Sequence, residues 1–190
     1  ARNSDGVADE VKSFAPSLGF KVPNGVCWTK DGFLIVVEHN RVLNFPAAEF
    51  FYEGPDVAVI EVAAQGKLIP PEEESGMVRM NPFDGSGREV VAKGVRNSVG
   101  MDINPKDKTV WFTDNQTDGM GDDTPPGELN RITKPGGGGE HFGYPYIHGN
   151  SVQIAGTAAA PDLKDMKAPA AWTKPQIEFP AHQAQLGMTF

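Results

Sequence analysis

Cysteine is nearly absent from this chain of 190 residues, which carries a single thiol at Cys27. One cysteine excludes an internal disulfide and any thiolate metal cluster supplied by this chain alone. Cys27 lies in the apolar pattern Val26-Cys27-Trp28, where a buried thiol acting as a small hydrophobic side chain is a better interpretation than a nucleophile. We therefore predict that Cys27 belongs to the core.

Positive charge is also scarce, because 17 Lys and Arg stand against 25 Asp and Glu and give a formal net charge of -8. Such a field repels phosphate backbones and anionic membrane surfaces, so nucleic acid is not an expected partner. No apolar run approaches the roughly 20 residues that span a bilayer, and the first residues are polar. The expectation is a soluble chain with no transmembrane segment.

Glycine and proline are abundant by contrast, with 22 and 16 residues, and they favour many short strands joined by turns. A first predicted repeat, at about 20–46, contains three predicted strands and an Asp31-Gly32 turn. The continuous apolar run 33–37 after that turn suits a strand that is buried on both faces. These patterns predict an all-β fold.

A second predicted repeat, at about 94–146, follows the plan of the first, with strands predicted near 96–102, 110–114 and 128–132. Between the two repeats, residues 76–93 are predicted to form a hairpin. Small antiparallel sheets that repeat about every 40 to 50 residues are typical of β-propeller blades. We interpret the whole chain, 1–190, as a single partial propeller domain.

Two stretches do not follow this plan. Residues 65–75 read as a loop with the acidic run 72–74, where the inner half of a blade is expected, so a segment is predicted to be missing after Ser75. The acidic run has two interpretations, a solvated loop or a cation site, and the solvated loop is preferred. Residues 147–180 are predicted to be rich in loops.

The densest polar cluster, 113–130, follows a buried strand and could offer oxygen atoms to a hard cation such as calcium. It lacks the spacing of an EF-hand loop. Four side chains are expected to hydrogen-bond to the backbone of their own loop instead: Asp122, Asp123, Glu128 and Asn130. A metal contact is expected from the carbonyl oxygens of Gln116 and Thr117.

Arg96-Asn97 is a second candidate site, because a guanidinium beside an amide can grip a carboxylate. Such a pair taken alone is more often structural. No Ser/His/Asp triad or glycine-rich nucleotide loop can be assembled. The histidines have no metal-ligand spacing and are each interpreted as structural: His39, His141, His148 and His182.

Taken together in order and spacing, several of these motifs make the chain resemble the glucose/sorbosone dehydrogenases. The motifs are Gly-Val-Arg-Asn-Ser-Val-Gly at 94–100, Trp-Phe-Thr-Asp-Asn at 111–115, the Gly-Asp-Asp to Glu-Leu-Asn stretch at 121–130, and His-Phe-Gly-Tyr-Pro at 141–145. Residues 23–26 and 38–43 look like an earlier blade, and 186–190 like the start of a later one. The resemblance covers most of the chain.

The resemblance implies a six-bladed β-propeller of four-stranded antiparallel blades, only part of which is in this chain. It implies oxidation of an aldose or sugar aldehyde with pyrroloquinoline quinone, where calcium polarises the quinone and a histidine takes the substrate proton. Electrons then pass to an external acceptor such as a cytochrome c or a quinone. Arg96 and Asn97 would bind the cofactor, Gln116 and Thr117 would bind calcium, and the location would be periplasmic or secreted.

Some residues depart from the family pattern. The family's catalytic histidine falls in the stretch predicted to be missing after Ser75, no other histidine replaces it, and Gly127 stands where Asp is common. A non-catalytic propeller that binds or assembles with a partner is therefore an alternative. A calcium-dependent lactone hydrolase is another, although it needs carboxylate and Asn ligands from several inner strands.

Overall fold

The computed structural model describes residues 11–38, 41–48, 59–64, 76–134, 139–150, 152–153 and 168–190. These residues form a 3₁₀ turn at Pro16–Leu18 and short β-strands, so the predicted all-β class is confirmed. The strands are β1 Pro23–Trp28, β2 Leu34–Glu38, β3 Arg41–Phe45, β4 Ile60–Ala64, β5 Gly76–Arg79, β6 Glu89–Lys93, β7 Met101–Ile103, β8 Val110–Asp114, β9 Gly127–Arg131, β10 Glu140–His141, β11 Ile147–His148, β12 Val152–Gln153 and β13 Ile177–Phe179.

The described residues divide into two compact units, and the first takes in the described part of residues 1–68 together with 81–86. Its sheet has the antiparallel order β1-β2-β3-β4. A hydrophobic core that includes Val36, Leu43 and Phe45 lies on β2 and β3, and Phe14 packs edge-on against Phe45 with ring centroids 4.9 Å apart. This unit supplies none of the predicted site residues.

Two burial predictions in the first unit are wrong. Cys27 is exposed rather than part of the core, because it lies on β1, an edge strand whose side chains are mostly exposed. The run after the Asp31-Gly32 turn is not buried on both faces either, since Val37 on β2 is 40% exposed. Alternation along a strand is visible in the sequence, whereas the layers that cover each face are not.

The second unit takes in the described part of residues 69–80 and 87–190. A four-stranded antiparallel sheet has the order β13-β9-β8-β7, and its outer strand β13 comes from the stretch predicted to be rich in loops. The predicted hairpin is β5 and β6, and β10 pairs with β6 in parallel. Phe112 and Phe142 form the centre of the core, in edge contact at 5.0 Å.

The register of the second unit positions polar residues in one row across three strands. Asp114 on β8 lies opposite Glu128 on β9, and Glu128 lies opposite Glu178 on β13. None of the described sheets closes on itself, so the six-bladed propeller and its blade boundaries stay predictions. Residues 65–75, with the predicted gap and acidic run, and His39 lie outside the described residues.

Candidate functional site

Asp114 is the anchor of the candidate site. Its carboxylate is fully buried at the end of β8 and accepts hydrogen bonds from the backbone N–H groups of Arg96 at 3.0 Å and Asn97 at 2.6 Å. Burial raises the pKa of Asp114 to about 6, although these hydrogen bonds act in the opposite direction. The end of a strand thereby determines where the Arg96-Asn97 pair lies.

The side chain of Gln116 is held from both sides. Its Nε2 donates to Oδ2 of Asp114 at 3.0 Å, which leaves Oε1 to accept a hydrogen bond from Nδ1 of His148. His148 is fully buried, and burial together with the charge of Arg96 lowers its pKa to about 4. His148 is therefore a neutral ring with its proton on Nδ1, and its Nε2 has no hydrogen-bond partner among the described residues.

The guanidinium of Arg96 reaches one of the two carbonyl oxygens that were predicted to bind metal, that of Gln116, but not that of Thr117. Its Nη1 donates to the carbonyl oxygen of Asn115 at 3.0 Å and to that of Gln116 at 2.7 Å. One cationic side chain thus satisfies two carbonyl groups directly after β8. The positive charge beside these two carbonyl oxygens is that of the Arg96 side chain.

Arg96, Asn115 and Gln116 line one open pocket of about 290 Å³, to which Asp114 and His148 do not contribute. The structure brings together in it all four residues predicted from the sequence, Arg96 and Asn97 for the cofactor and Gln116 and Thr117 for the metal. A concave pocket with a few converging polar groups is the usual form of a small-molecule site. The cofactor and metal roles of these residues stay predictions.

A second wall of the pocket comes from the C-terminal segment, which the sequence did not indicate. The backbone of this segment is bound to β8 and the residue after it, because Thr113 Oγ1 donates to Leu186 O at 2.9 Å and Asn115 Nδ2 donates to Gln185 O at 2.7 Å. His182 Nε2 lies 2.8 Å from Gly121 O. The partners are 61 to 73 residues apart in sequence, so no local pattern could reveal them.

Glu128 is a second buried carboxyl group, on β9 beside the pocket residue Gly127. It accepts hydrogen bonds from Asn130 Nδ2 at 2.8 Å and from the backbone N–H of Gly149 at 2.6 Å. Burial, together with the nearby charges of Asp114 and Glu178, raises the pKa of Glu128 to about 7. The predicted bonds to its own loop are therefore wrong for Glu128, which binds a backbone group 21 residues away.

The acidic side chains do not form a metal site in the part of the chain that the structure describes. No group of three or more His, Cys, Asp or Glu residues is arranged there to hold an ion. Asp122 and Asp123 are exposed, and the oxygens of Asp114 and Glu128 already accept hydrogen bonds. A calcium ion at Gln116 O does not fit while the guanidinium of Arg96 is bonded to that oxygen.

The family of this chain follows from a sequence comparison. The family model described as glucose/sorbosone dehydrogenase matches residues 28–185, which include the four predicted site residues and their anchor Asp114. The chain belongs to the glucose/sorbosone dehydrogenase family. Among the described residues, no helix has the length and apolar character needed to cross a membrane.

A protein of similar sequence and two solved structures of similar fold can be compared with this chain. An uncharacterized protein of Borreliella burgdorferi is 36% identical over 133 residues, which cover 70% of this chain and 33% of that protein. Two solved structures of Trichoderma reesei Carbohydrate-Active Enzymes Family AA12, one with iodide and one with calcium, match with TM-scores of 0.61 and 0.62. Their identities are 18% and 17%, and each match covers 86% of this chain and 57% of the other, so they show similarity of fold alone.

The departure from the family pattern at Gly127 has a local reason in this structure. A Cβ atom at position 127 would overlap the side-chain amide of Gln185 in the pocket wall. Gln185 Nε2 is buried and has no hydrogen-bond partner among the described residues. In this member of the glucose/sorbosone dehydrogenase family, the small residue on β9 makes room for an amide from the C-terminal segment.

Proposed function

We propose that this protein oxidises an aldose or a sugar aldehyde, with pyrroloquinoline quinone as the cofactor and calcium as its metal. One observation carries the proposal. Arg96 and Asn97, held by Asp114, line a single pocket with Gln116 and Thr117, and all of these residues lie in the region that matches the glucose/sorbosone dehydrogenase family.

The residues of the pocket suit an acidic, carbonyl-bearing cofactor. The guanidinium of Arg96 and the side-chain amide of Asn97 are donors that bind carboxylate and carbonyl oxygens. Asp114 holds their backbone so that both side chains start from a fixed position. Pyrroloquinoline quinone supplies the acceptor for the hydride of the substrate when it is bound.

The base that receives the substrate proton is assigned to none of the described residues. His148 is fully buried, and its pKa is lowered to about 4 by burial and by the charge of Arg96, so it does not meet a substrate in the pocket. The proposal includes a six-bladed propeller as scaffold and an external acceptor, a cytochrome c or a quinone. It also includes a periplasmic or secreted location.

Calcium stays in the proposal on the family likeness, although one of its two predicted ligands, the carbonyl oxygen of Gln116, is bonded to Arg96 as arranged. A calcium-dependent lactone hydrolase is less well supported, because the buried carboxylates of Asp114 and Glu128 accept backbone N–H groups. Those oxygens are already used by the fold.

Cofactor binding and turnover test the proposal in separate measurements. Equilibrium binding of pyrroloquinoline quinone is followed with the full-length protein, and dye reduction is followed with a panel of aldoses after the quinone and calcium have been added. We expect binding and activity, with both reduced at least about fivefold in Asn97→Ala through the loss of one hydrogen-bonding group. Asn150→Ala, an exposed site outside the pocket, serves as the control.

The two assays separate the alternatives. Quinone binding without sugar oxidation would favour a non-catalytic propeller. Absence of quinone binding would overturn the proposed function.

A further inference from the structure

His148 is fully buried and does not line the pocket, yet a continuous chain of hydrogen bonds links it to the pocket. Nδ1 of His148 donates to Oε1 of Gln116, and Nε2 of Gln116 donates to Oδ2 of Asp114 at 3.0 Å. The carboxylate of Asp114 accepts the backbone N–H groups of Arg96 at 3.0 Å and Asn97 at 2.6 Å. Two side chains therefore connect His148 to the residue pair that is predicted to bind the cofactor.

The proton of His148 sets the direction of this chain of hydrogen bonds. A side-chain amide has a donor end and an acceptor end. Because Nδ1 of His148 carries a proton, the oxygen of the Gln116 amide faces the ring and its nitrogen faces the carboxylate of Asp114. With the amide turned over, its oxygen would face the carboxylate, and two acceptors would repel each other. His148 thus determines which end of Gln116 meets Asp114.

The second ring nitrogen shows that His148 does more than fill space. Nε2 of His148 is buried and has no hydrogen-bond partner among the described residues, and a buried polar atom without a partner lowers stability. Tyr144 packs edge-on against the ring, with centroids 5.9 Å apart, and an aromatic side chain without nitrogen atoms would keep that contact. What histidine adds at this position is the Nδ1 donor.

We propose that His148 is a positioning residue, which acts through Gln116 and Asp114 to hold the backbone of Arg96 and Asn97 in the position that binds an acidic ligand. The inference rests on the proposed function only for the identity of that ligand, the acidic quinone. Loss of the Nδ1 donor should loosen the backbone N–H groups of Arg96 and Asn97 and leave the rest of the sheet unchanged.

Two substitutions of His148 separate the donor from the bulk of the ring. In His148→Asn the amide nitrogen has the same bonding position as Nδ1 and still donates to Gln116, whereas in His148→Gln it lies one bond further out. Backbone hydrogen exchange is measured by NMR on the full-length protein without any ligand. We expect exchange at Arg96 and Asn97 to accelerate at least about tenfold in His148→Gln and to stay within about threefold of the parent in His148→Asn, since a hydrogen bond to a charged group changes an equilibrium by at least about tenfold.

An internal control comes from the other end of β8, where the backbone N–H of Ile132 donates to Val110 O at 2.9 Å. Exchange at Ile132 should not change. Equal acceleration at all three amides would mean that His148 supports only overall stability, and the inference would be wrong. It would also be wrong if His148→Asn accelerated exchange at Arg96 and Asn97 as much as His148→Gln.

A variant of the next residue in the chain tests whether His148 acts through Gln116. Gln116→Met should accelerate exchange at Arg96 and Asn97 as His148→Gln does, and it replaces His148→Gln if that variant does not fold. In the double variant the two effects should not add, because both substitutions break one chain. Unchanged exchange in Gln116→Met, or additive effects, would contradict the inference.

Equilibrium binding of pyrroloquinoline quinone is the second readout. The affinity should fall in His148→Gln and be kept in His148→Asn. If the amides of Arg96 and Asn97 loosen and the affinity does not change, His148 does not position the pair for a ligand, and the inference is overturned. If the parent itself binds no quinone, the proposed function fails, and the exchange rates still decide whether His148 positions Arg96 and Asn97.

Discussion

Replacing Glu128 by glutamine removes the charge of a fully buried carboxyl group and keeps its shape. Burial and the charges of Asp114 and Glu178 raise the pKa of Glu128 from 4.5 to about 7. One pKa unit corresponds to about 1.4 kcal/mol, so the ionised group lowers the free energy of unfolding by about 3 kcal/mol at pH 8. Glu128→Gln should recover most of this free energy.

The loss of stability that Glu128 causes depends on pH. Below pH 4.5 the carboxyl group is protonated in both the folded and the unfolded chain, so it contributes no difference. Between pH 4.5 and about 7 the folded protein keeps a proton that the unfolded chain has lost, and the stability of the parent falls as the pH rises through this window. Above that window the free energy of unfolding stays lower by the full amount of about 3 kcal/mol.

Thermal unfolding of the parent and of Glu128→Gln at pH 4 and pH 8 measures this difference. For a chain of this size about 1 kcal/mol shifts Tm by roughly 2–4 °C, so Glu128→Gln should unfold roughly 6–12 °C higher at pH 8. The two proteins should unfold together at pH 4. Glu89→Gln is the control, because Glu89 forms an exposed pair with Arg79 and its loss should change Tm little or lower it slightly. A lower Tm of Glu128→Gln at pH 8 would refute the reasoning.

Three further predictions address packing and exposure. Phe112→Ala should lower the free energy of unfolding in urea by about 3–5 kcal/mol, because Phe112 is fully buried against Phe142, and a loss below about 1 kcal/mol would contradict this. Gly94→Ala should lower the free energy of unfolding more than Gly87→Ala. Both glycines have a left-handed φ, of 66° and 62°, but only at position 94 would a Cβ overlap another residue, the ring of His141. Equal losses of stability in the two variants would argue against the clash. The exposed thiol of Cys27 should react with a disulfide reagent as fast in the native as in the unfolded protein. Much slower reaction in the native protein would mean that Cys27 is buried.

Part of this protein could be predicted from its sequence, because the features concerned depend on residues close together in the chain. Turns such as Asp31-Gly32 and the apolar runs beside them predicted most strands and the all-β class. The motif around Arg96-Asn97 and the polar stretch after β8 led to the family that the comparison then showed. The four predicted site residues meet in one pocket because two short segments carry them and Asp114 links those segments.

Only the tertiary structure decided what covers each strand and what pairs across the sheet. Cys27 has the surroundings of a core residue in the sequence, but its strand lies at an edge and the thiol is exposed. Glu128 lies opposite Asp114 through the register of β8 and β9, and burial, with a smaller contribution from the charge of Asp114, raises the pKa of a carboxyl group that looked like part of a loop. The guanidinium of Arg96 reaches carbonyl oxygens 19 and 20 residues away. Contacts over such separations depend on how strands pair and pack, which no local pattern encodes.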